Sequence, residues 1–188
     1  MNTVALEQRN KIHPHKFTLW MGIGSILMMF AGLTSAFIVK KNQANWITFE
    51  IPPIFWFSSL AIILSSITVI LAGRAFRDRQ MKRYRQLLVI TALLGIIFVV
   101  MQTIGFTDMW NQGLTVNATV SVSFLYVIVG LHALHVVGGV VALLIMVLKA
   151  FSRKQKIYSS VPIQLAGTYW HFVDLLWIYL LVFLVMIR

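Results

Sequence analysis

The sequence predicts an all-α, polytopic membrane protein: a bundle of five transmembrane helices forming one integral membrane domain over residues 1–188. Three observations carry that prediction. The chain is 59% hydrophobic and only 11% charged, with a mean hydropathy of +0.84, a balance that fits a lipid environment and excludes an ordinary soluble domain. Its apolar residues fall into five stretches, at about 17–39, 53–73, 87–106, 120–148 and 165–187, each near the roughly 20 residues a helix needs to cross a hydrocarbon core. Its basic residues are concentrated in alternate connecting segments, as expected when successive loops lie on opposite sides of a membrane.

The first stretch follows a polar N-terminal tail and has no A-x-A-like cleavage pattern in the right place, so it reads as a retained span and not as a signal peptide. Gly22, Ser25, Gly32 and Ala36 form a stripe of small residues along it, at the spacing that lets helix backbones approach closely where lipid offers no hydrophobic drive. The second stretch opens at Pro52 and Pro53, where a missing N–H costs little, with Glu50 placed to complement the positive end of the helix dipole. Its own stripe is Ser58, Ala61, Ser65, Thr68 and Ala72, and that of the third stretch is Thr91, Gly95, Gln102 and Gly105, with Asp108 at the outer boundary. The fourth is long enough to tilt or project, and the fifth carries ionisable residues at membrane depth. These stripes predict helix contacts, not a pore, and the short loops predict that consecutive helices are antiparallel neighbours.

Lys and Arg lie in the N-terminal tail, between the second and third spans and between the fourth and fifth, leaving only Lys40, Lys41 and Arg188 on the other side. The positive-inside rule then places the N-terminus in the cytoplasm and the C-terminus outside, in the bacterial case the periplasm. The net charge of +11 is thus spent on orientation and anionic headgroups, which argues against a nucleic-acid partner. With no cysteine, the chain has no disulfide, thiolate metal site or thiol nucleophile.

The ionisable residues inside the spans are His132, His135, His171 and Asp174. A charge at that depth costs roughly 2.5 to 3.5 kcal/mol on insertion scales, so such residues mark buried contacts or functional sites. His132 and His135 share a face of the fourth helix, with Gly139 and Ala142 continuing it and leaving room for a neighbour. His171 and Asp174 share a face of the fifth. Packed together, these faces would let imidazoles and a carboxylate satisfy one another, with water or Trp170 as a further donor and Gln102 adding polarity from the third span. A di-iron site would need about four carboxylates, and only Asp174 lies in the spans; bis-histidine haem ligation needs opposed histidines, not two adjacent pairs. A proton relay needs ionisable groups strung across the membrane. No hydrolase triad, P-loop or glycine-rich nucleotide site is present.

YWHFVDLLW at 169–177 and GLHALHVVGG at 130–139 match the last-helix and preceding-helix signatures of subunit III of the haem-copper terminal oxidases, the latter as G-x-H-x-L-H-V-x-x-G. GIIFVVMQ at 95–102 carries the same family's Gly, Phe and Gln, and Glu50-Ile51-Pro52 precedes the second span. On these motifs the chain resembles the cytochrome c oxidase subunit 3 family, in the short five-helix bacterial form.

The resemblance implies an accessory subunit of a proton-pumping oxidase that reduces O2 to water, placed in the inner (cytoplasmic) membrane. It implies no catalytic or metal-binding residues and no cofactor in this chain, haems and copper in partner subunits, bound phospholipid in a cleft, and support of sustained proton uptake. Subunit I would be the main contact, with subunit II and other respiratory subunits nearby. His132, His135, His171 and Asp174, with Gln102 and Trp170, would be interior polar contacts fixing helix packing and that cleft. A quinol oxidase remains an alternative electron-donor class. A small proton-coupled transporter using His171 and Asp174 is the alternative from another class, though the chain lacks the inverted repeats or broken helices such transporters use. One departure concerns an acid that relatives carry directly after a serine in the first span: here Ser25 is followed by Ile26. Another is Gly105, where many relatives have an acidic residue.

Overall fold

A computed structural model describes residues 14–41, 53–115, 119–152 and 161–187 of the chain. The described residues form five α-helices: α1 (Pro14–Lys41), α2 (Ile54–Arg77), α3 (Met81–Asn111), α4 (Val120–Phe151) and α5 (Val161–Ile187). All five are long and apolar enough to cross a membrane. Each extends beyond its apolar stretch, because the polar and basic residues at the ends continue the helix. Glu50 and the Glu50-Ile51-Pro52 motif lie outside the described residues.

The ends follow from local chemistry. Pro53 sits just before α2, where its carbonyl accepts from Trp56 N at 3.1 Å. The turn after α2 is closed by Asp78 and Gln80 amides on the Arg74 and Ala75 carbonyls, with Arg79 between them at φ 57°, a left-handed residue of the kind that ends helices. Thr119 caps α4, its hydroxyl accepting from the Val122 amide at 3.4 Å.

Helices α2, α3, α4 and α5 form a closed square in which each packs against the next and α5 packs back on α2. The tightest pair is α2 with α3, where the predicted small stripes meet: Ser58, Ala61, Ser65 and Ala72 on one helix and Thr91, Gly95, Gln102 and Gly105 on the other are all buried. Large side chains fill the centre, with Ile62, Phe98, Ile128, Val136, Trp170 and Trp177 fully enclosed.

Helix α1 departs from the expected order. It stands on the outer edge of α4 and α5 and makes no backbone approach to α2, its neighbour in sequence. Its hold includes Phe30 and Phe37, inserted against the histidines of α4 and the aromatic rings of Phe124 and Phe183, and a 3.1 Å hydroxyl pair between Thr34 and Tyr179. The small residues expected to make contacts point elsewhere: Gly22, Ser25 and Gly32 are exposed, and a Cβ on either glycine would meet nothing within 4 Å. The inward face of α1 is instead the aromatic one, since bulky rings can fill the wide groove between α4 and α5.

Candidate functional site

Helix α5 carries the polar residues of interest, and its partners are serines of α2. Trp170 donates its indole N–H to Ser65 Oγ at 3.0 Å, and Trp177 donates to Ser59 Oγ at 2.9 Å. The two tryptophans are two helical turns apart on α5, and the serines keep step on the antiparallel α2. His171 Nδ1 is hydrogen-bonded to Ser66 Oγ. On the far side of the same helix Gln102 Nε2 donates to Ser58 Oγ at 2.8 Å, while Thr68 and Thr91 pair their hydroxyls at 2.8 Å. A ladder of serines on α2 therefore ties α5 on one side and α3 on the other.

Trp170 also explains two glycines. A Cβ on Gly95 of α3 would stand 2.8 Å from Trp170 Cη2, and one on Gly139 of α4 would stand 2.9 Å from Cε3 and Cζ3. The indole lies in a slot whose two walls are glycines because nothing larger leaves it room. That is the space the sequence reserved beside His132 and His135, and its occupant is Trp170.

The expected imidazole–carboxylate pairing is not formed. Neither nitrogen of His132 and neither carboxyl oxygen of Asp174 has a hydrogen-bond partner, although both residues are buried. His132 is held by rings: it stacks on Trp177 at 5.3 Å, with Phe30 and Phe98 edge-on. His135 satisfies itself locally, donating from Nδ1 to the Leu131 carbonyl at 2.7 Å, while Tyr169 donates to the His135 carbonyl at 3.1 Å. His132 instead meets α5 through the ring of Trp177, which also packs edge-on against Phe98. Trp170 likewise serves Ser65 and not the histidines. Sequence reasoning overlooked Ser59 and Ser66 altogether. The available signal was the repeat of Ser-Ser pairs at 58–59 and 65–66, which matches the spacing of Trp170 and Trp177.

Because α1 stands off from α2, a cleft of about 470 Å³ opens between α1, α2 and the start of α5. Lys16, Arg77 and Gln164 lie at the helix ends that frame it, Trp20 and Gly73 line its walls, and His171 borders it at depth. Ile26 lines a separate apolar groove between α1 and α5 together with Gly22 and Tyr169.

The family model for cytochrome c oxidase subunit III matches residues 16–187, which takes in all five helices almost entire. The chain belongs to the cytochrome c oxidase subunit III family. It is 25% identical over 180 residues to cytochrome c oxidase subunit 3 of Bacillus sp. strain PS3, covering 93% of this chain and 84% of that one. The Bacillus subtilis protein of the same name is 25% identical with 94% and 86% covered, and that of Corynebacterium diphtheriae is 27% identical with 81% and 78% covered. As a subunit III, the chain is part of an oxidase complex and spans the membrane several times. Among the described residues no three of His, Cys, Asp or Glu gather into a group that could hold a metal, and the subunit III family is redox-centre-free.

Proposed function

We propose that this chain is the accessory, non-catalytic subunit III of a proton-pumping haem-copper terminal oxidase in a bacterial inner membrane. It flanks subunit I, which carries the haems and copper with subunit II, and it helps the complex to sustain proton uptake over many turnovers. The observation that carries this reading is the family match along the whole helical bundle. The names of its relatives support cytochrome c as the electron donor.

Within that role, the square of α2 to α5 is the rigid part and the cleft beside α1 is a phospholipid seat. The cleft's apolar walls suit acyl chains, and the charges of Lys16 and Arg77 at its end suit a phosphate headgroup. His132, His135, His171, Asp174, Gln102 and Trp170 serve packing and this cleft, and perform no redox chemistry. The distribution of Lys and Arg supports a cytoplasmic N-terminus and a periplasmic C-terminus.

Affinity purification through a tag on this chain tests the assignment. From native membranes the expected product is a complex with the visible spectrum of haem and with copper in stoichiometric amount, while the chain expressed alone shows no Soret band. Deleting the gene should leave an oxidase that assembles and loses activity early during turnover. A stoichiometric Soret band in the isolated chain, or purification free of any haem-bearing partner, would overturn it.

A further inference from the structure

Gln164, Thr168 and His171 stand four and three residues apart on α5, which puts them on one face of the helix, and all three line the cleft. Polarity therefore continues inward from the charged mouth. His171 is two turns beyond Gln164, roughly 10 Å deeper. Thr168 has given its proton to the Gln164 carbonyl at 2.9 Å, so its oxygen can only accept.

His171 differs in offering a donor. Ser58 and Ser59 donate to the Phe55 carbonyl, whereas the Ser66 hydroxyl has no bond to a backbone carbonyl and meets Nδ1 of His171. The serine proton on that bond makes Nδ1 the acceptor and leaves the neutral ring its hydrogen on Nε2. Nε2 has no partner among the described residues, and unlike the nitrogens of His132 it is not sealed off by its surroundings. A donor is thus open to the cleft at a depth where Val69 and Ile70 of α2 form the wall. In hydrocarbon an N–H without an acceptor is costly. A lone water would need about two to four polar partners of its own, so an acceptor carried in on an amphiphile suits the site better.

We propose, on the reading of the cleft as a phospholipid seat, that its occupant is a diacyl glycerophospholipid drawn inward until one ester carbonyl accepts from Nε2–H of His171. A lipid level with its neighbours would lay hydrocarbon against the imidazole. A recessed one brings the glycerol esters to His171 and keeps the phosphate within reach of the long side chains of Lys16 and Arg77. Its acyl chains then follow Ile70, Ile67 and Ile63, which continue that face of α2 at helical spacing and are exposed. Lys16 and Arg77 attract the charge, and His171 fixes the depth.

Native mass spectrometry of the complex, purified through this chain, delipidated and resupplied with lipid, tests it. The lipid of this seat is the increment lost in Gly73→Leu, since Gly73 lines the cleft and a Cβ there meets nothing within 4 Å. Dioleoyl phosphatidylglycerol and its diether analogue share charge and chain length and differ in the carbonyls. The wild type should retain the ester lipid about fivefold better, the equilibrium equivalent of one hydrogen bond. His171→Phe should hold both lipids alike at the weaker level, and His171→Gln, which keeps an N–H donor, should restore part of the preference. If His171→Phe does not assemble, the ester-to-ether ratio of the wild type decides alone. Equal retention of the two lipids by the wild type, as a water on Nε2 would give, overturns the proposal and leaves the seat standing. A preference that survives in His171→Phe overturns it too, as does displacement of the ester lipid by an equimolar isoprenoid quinone, whose ring carbonyls offer the same acceptor. Equal lipid in wild type and Gly73→Leu overturns the seat itself, and the proposal with it.

Discussion

Helix α1 and the square of α2 to α5 cross the same lipid yet are held by opposite means. The square is joined backbone to backbone through small residues, with serine hydroxyls receiving two tryptophan N–H groups and a glutamine amide in its interior. Helix α1 leans on the square through aromatic edges and a hydroxyl pair, and a Cβ on any of its glycines would meet nothing within 4 Å. In a membrane the hydrophobic effect cannot decide which helices stay together, so fit and hydrogen bonding must. On that ground the square is the permanent part of the fold, and α1 is a wall whose position sets the width of the cleft.

The comparison breaks most visibly at Trp170, which fills the slot between Gly95 and Gly139 and is bonded to Ser65. Trp170→Ala should destabilise the bundle by about 3 kcal/mol, the low end for a buried tryptophan because the exposed reference state is lipid and not water. An SDS titration of the purified chain followed by tryptophan fluorescence or circular dichroism measures this. A loss no larger than that of Trp20→Ala, a largely exposed ring on the cleft wall of α1, would mean that the square is not the stable unit.

Glycines give a test whose sign differs between the two regions. Gly95→Ala and Gly139→Ala place a methyl within 3 Å of an indole that cannot move without breaking its bond to Ser65, and each should cost about 1–3 kcal/mol. Gly22→Ala and Gly32→Ala meet open space, and should be neutral or gain up to about 1 kcal/mol from helix propensity. The same SDS titration decides. Equal losses at all four positions would remove the distinction between permanent square and leaning wall.

This distinction was only half legible in the sequence. Five spans follow from hydropathy, because lipid leaves the backbone no choice but to close its hydrogen bonds within each helix. The stripes of α2 and α3 were legible for a related reason, since small residues at helical spacing are wasted unless a neighbour comes close. The stripe of α1 has the same pattern and yet faces outward: spacing says that a face is smooth, not which helix meets it. Likewise His132, His135, His171 and Asp174 could be placed on two faces, but the ring contacts of His132 with Trp177 and of Trp177 with Phe98 come from tertiary packing and have no periodic signature. The serine ladder was within reach, because Ser58-Ser59 and Ser65-Ser66 repeat at the interval that separates Trp170 from Trp177.

Removing the ladder's acceptors one at a time gives a smaller effect. Ser65→Ala leaves the Trp170 N–H buried without an acceptor, and Ser59→Ala does the same to Trp177; each should cost about 1 kcal/mol. Ser25→Ala, on the outer face of α1, should cost nothing measurable in the isolated chain. A double-mutant cycle of Ser65→Ala with Trp170→Phe isolates the hydrogen bond from the packing. Zero coupling energy would mean that shape alone holds α5 to α2.

The smallest effect belongs to the cleft, and it sharpens the comparison from the other side. If α1 is a movable wall, lipid between it and α2 is part of what positions it, and the headgroup charges at Lys16 and Arg77 should be felt in lipid retention before they are felt in stability. Lys16→Gln or Arg77→Gln should each weaken anionic phospholipid by about 1 kcal/mol, a several-fold loss, with little change in the SDS midpoint. Phospholipid counted by native mass spectrometry after graded delipidation measures this, and raising the salt concentration should mimic the substitutions, because the attraction at a membrane surface is screened within about 10 Å. Retention that survives both substitutions and high salt would mean that the cleft selects acyl chains and ignores the headgroup. In that case α1 would be positioned by apolar filling alone, and the charges at its foot would serve only to orient the chain in the membrane.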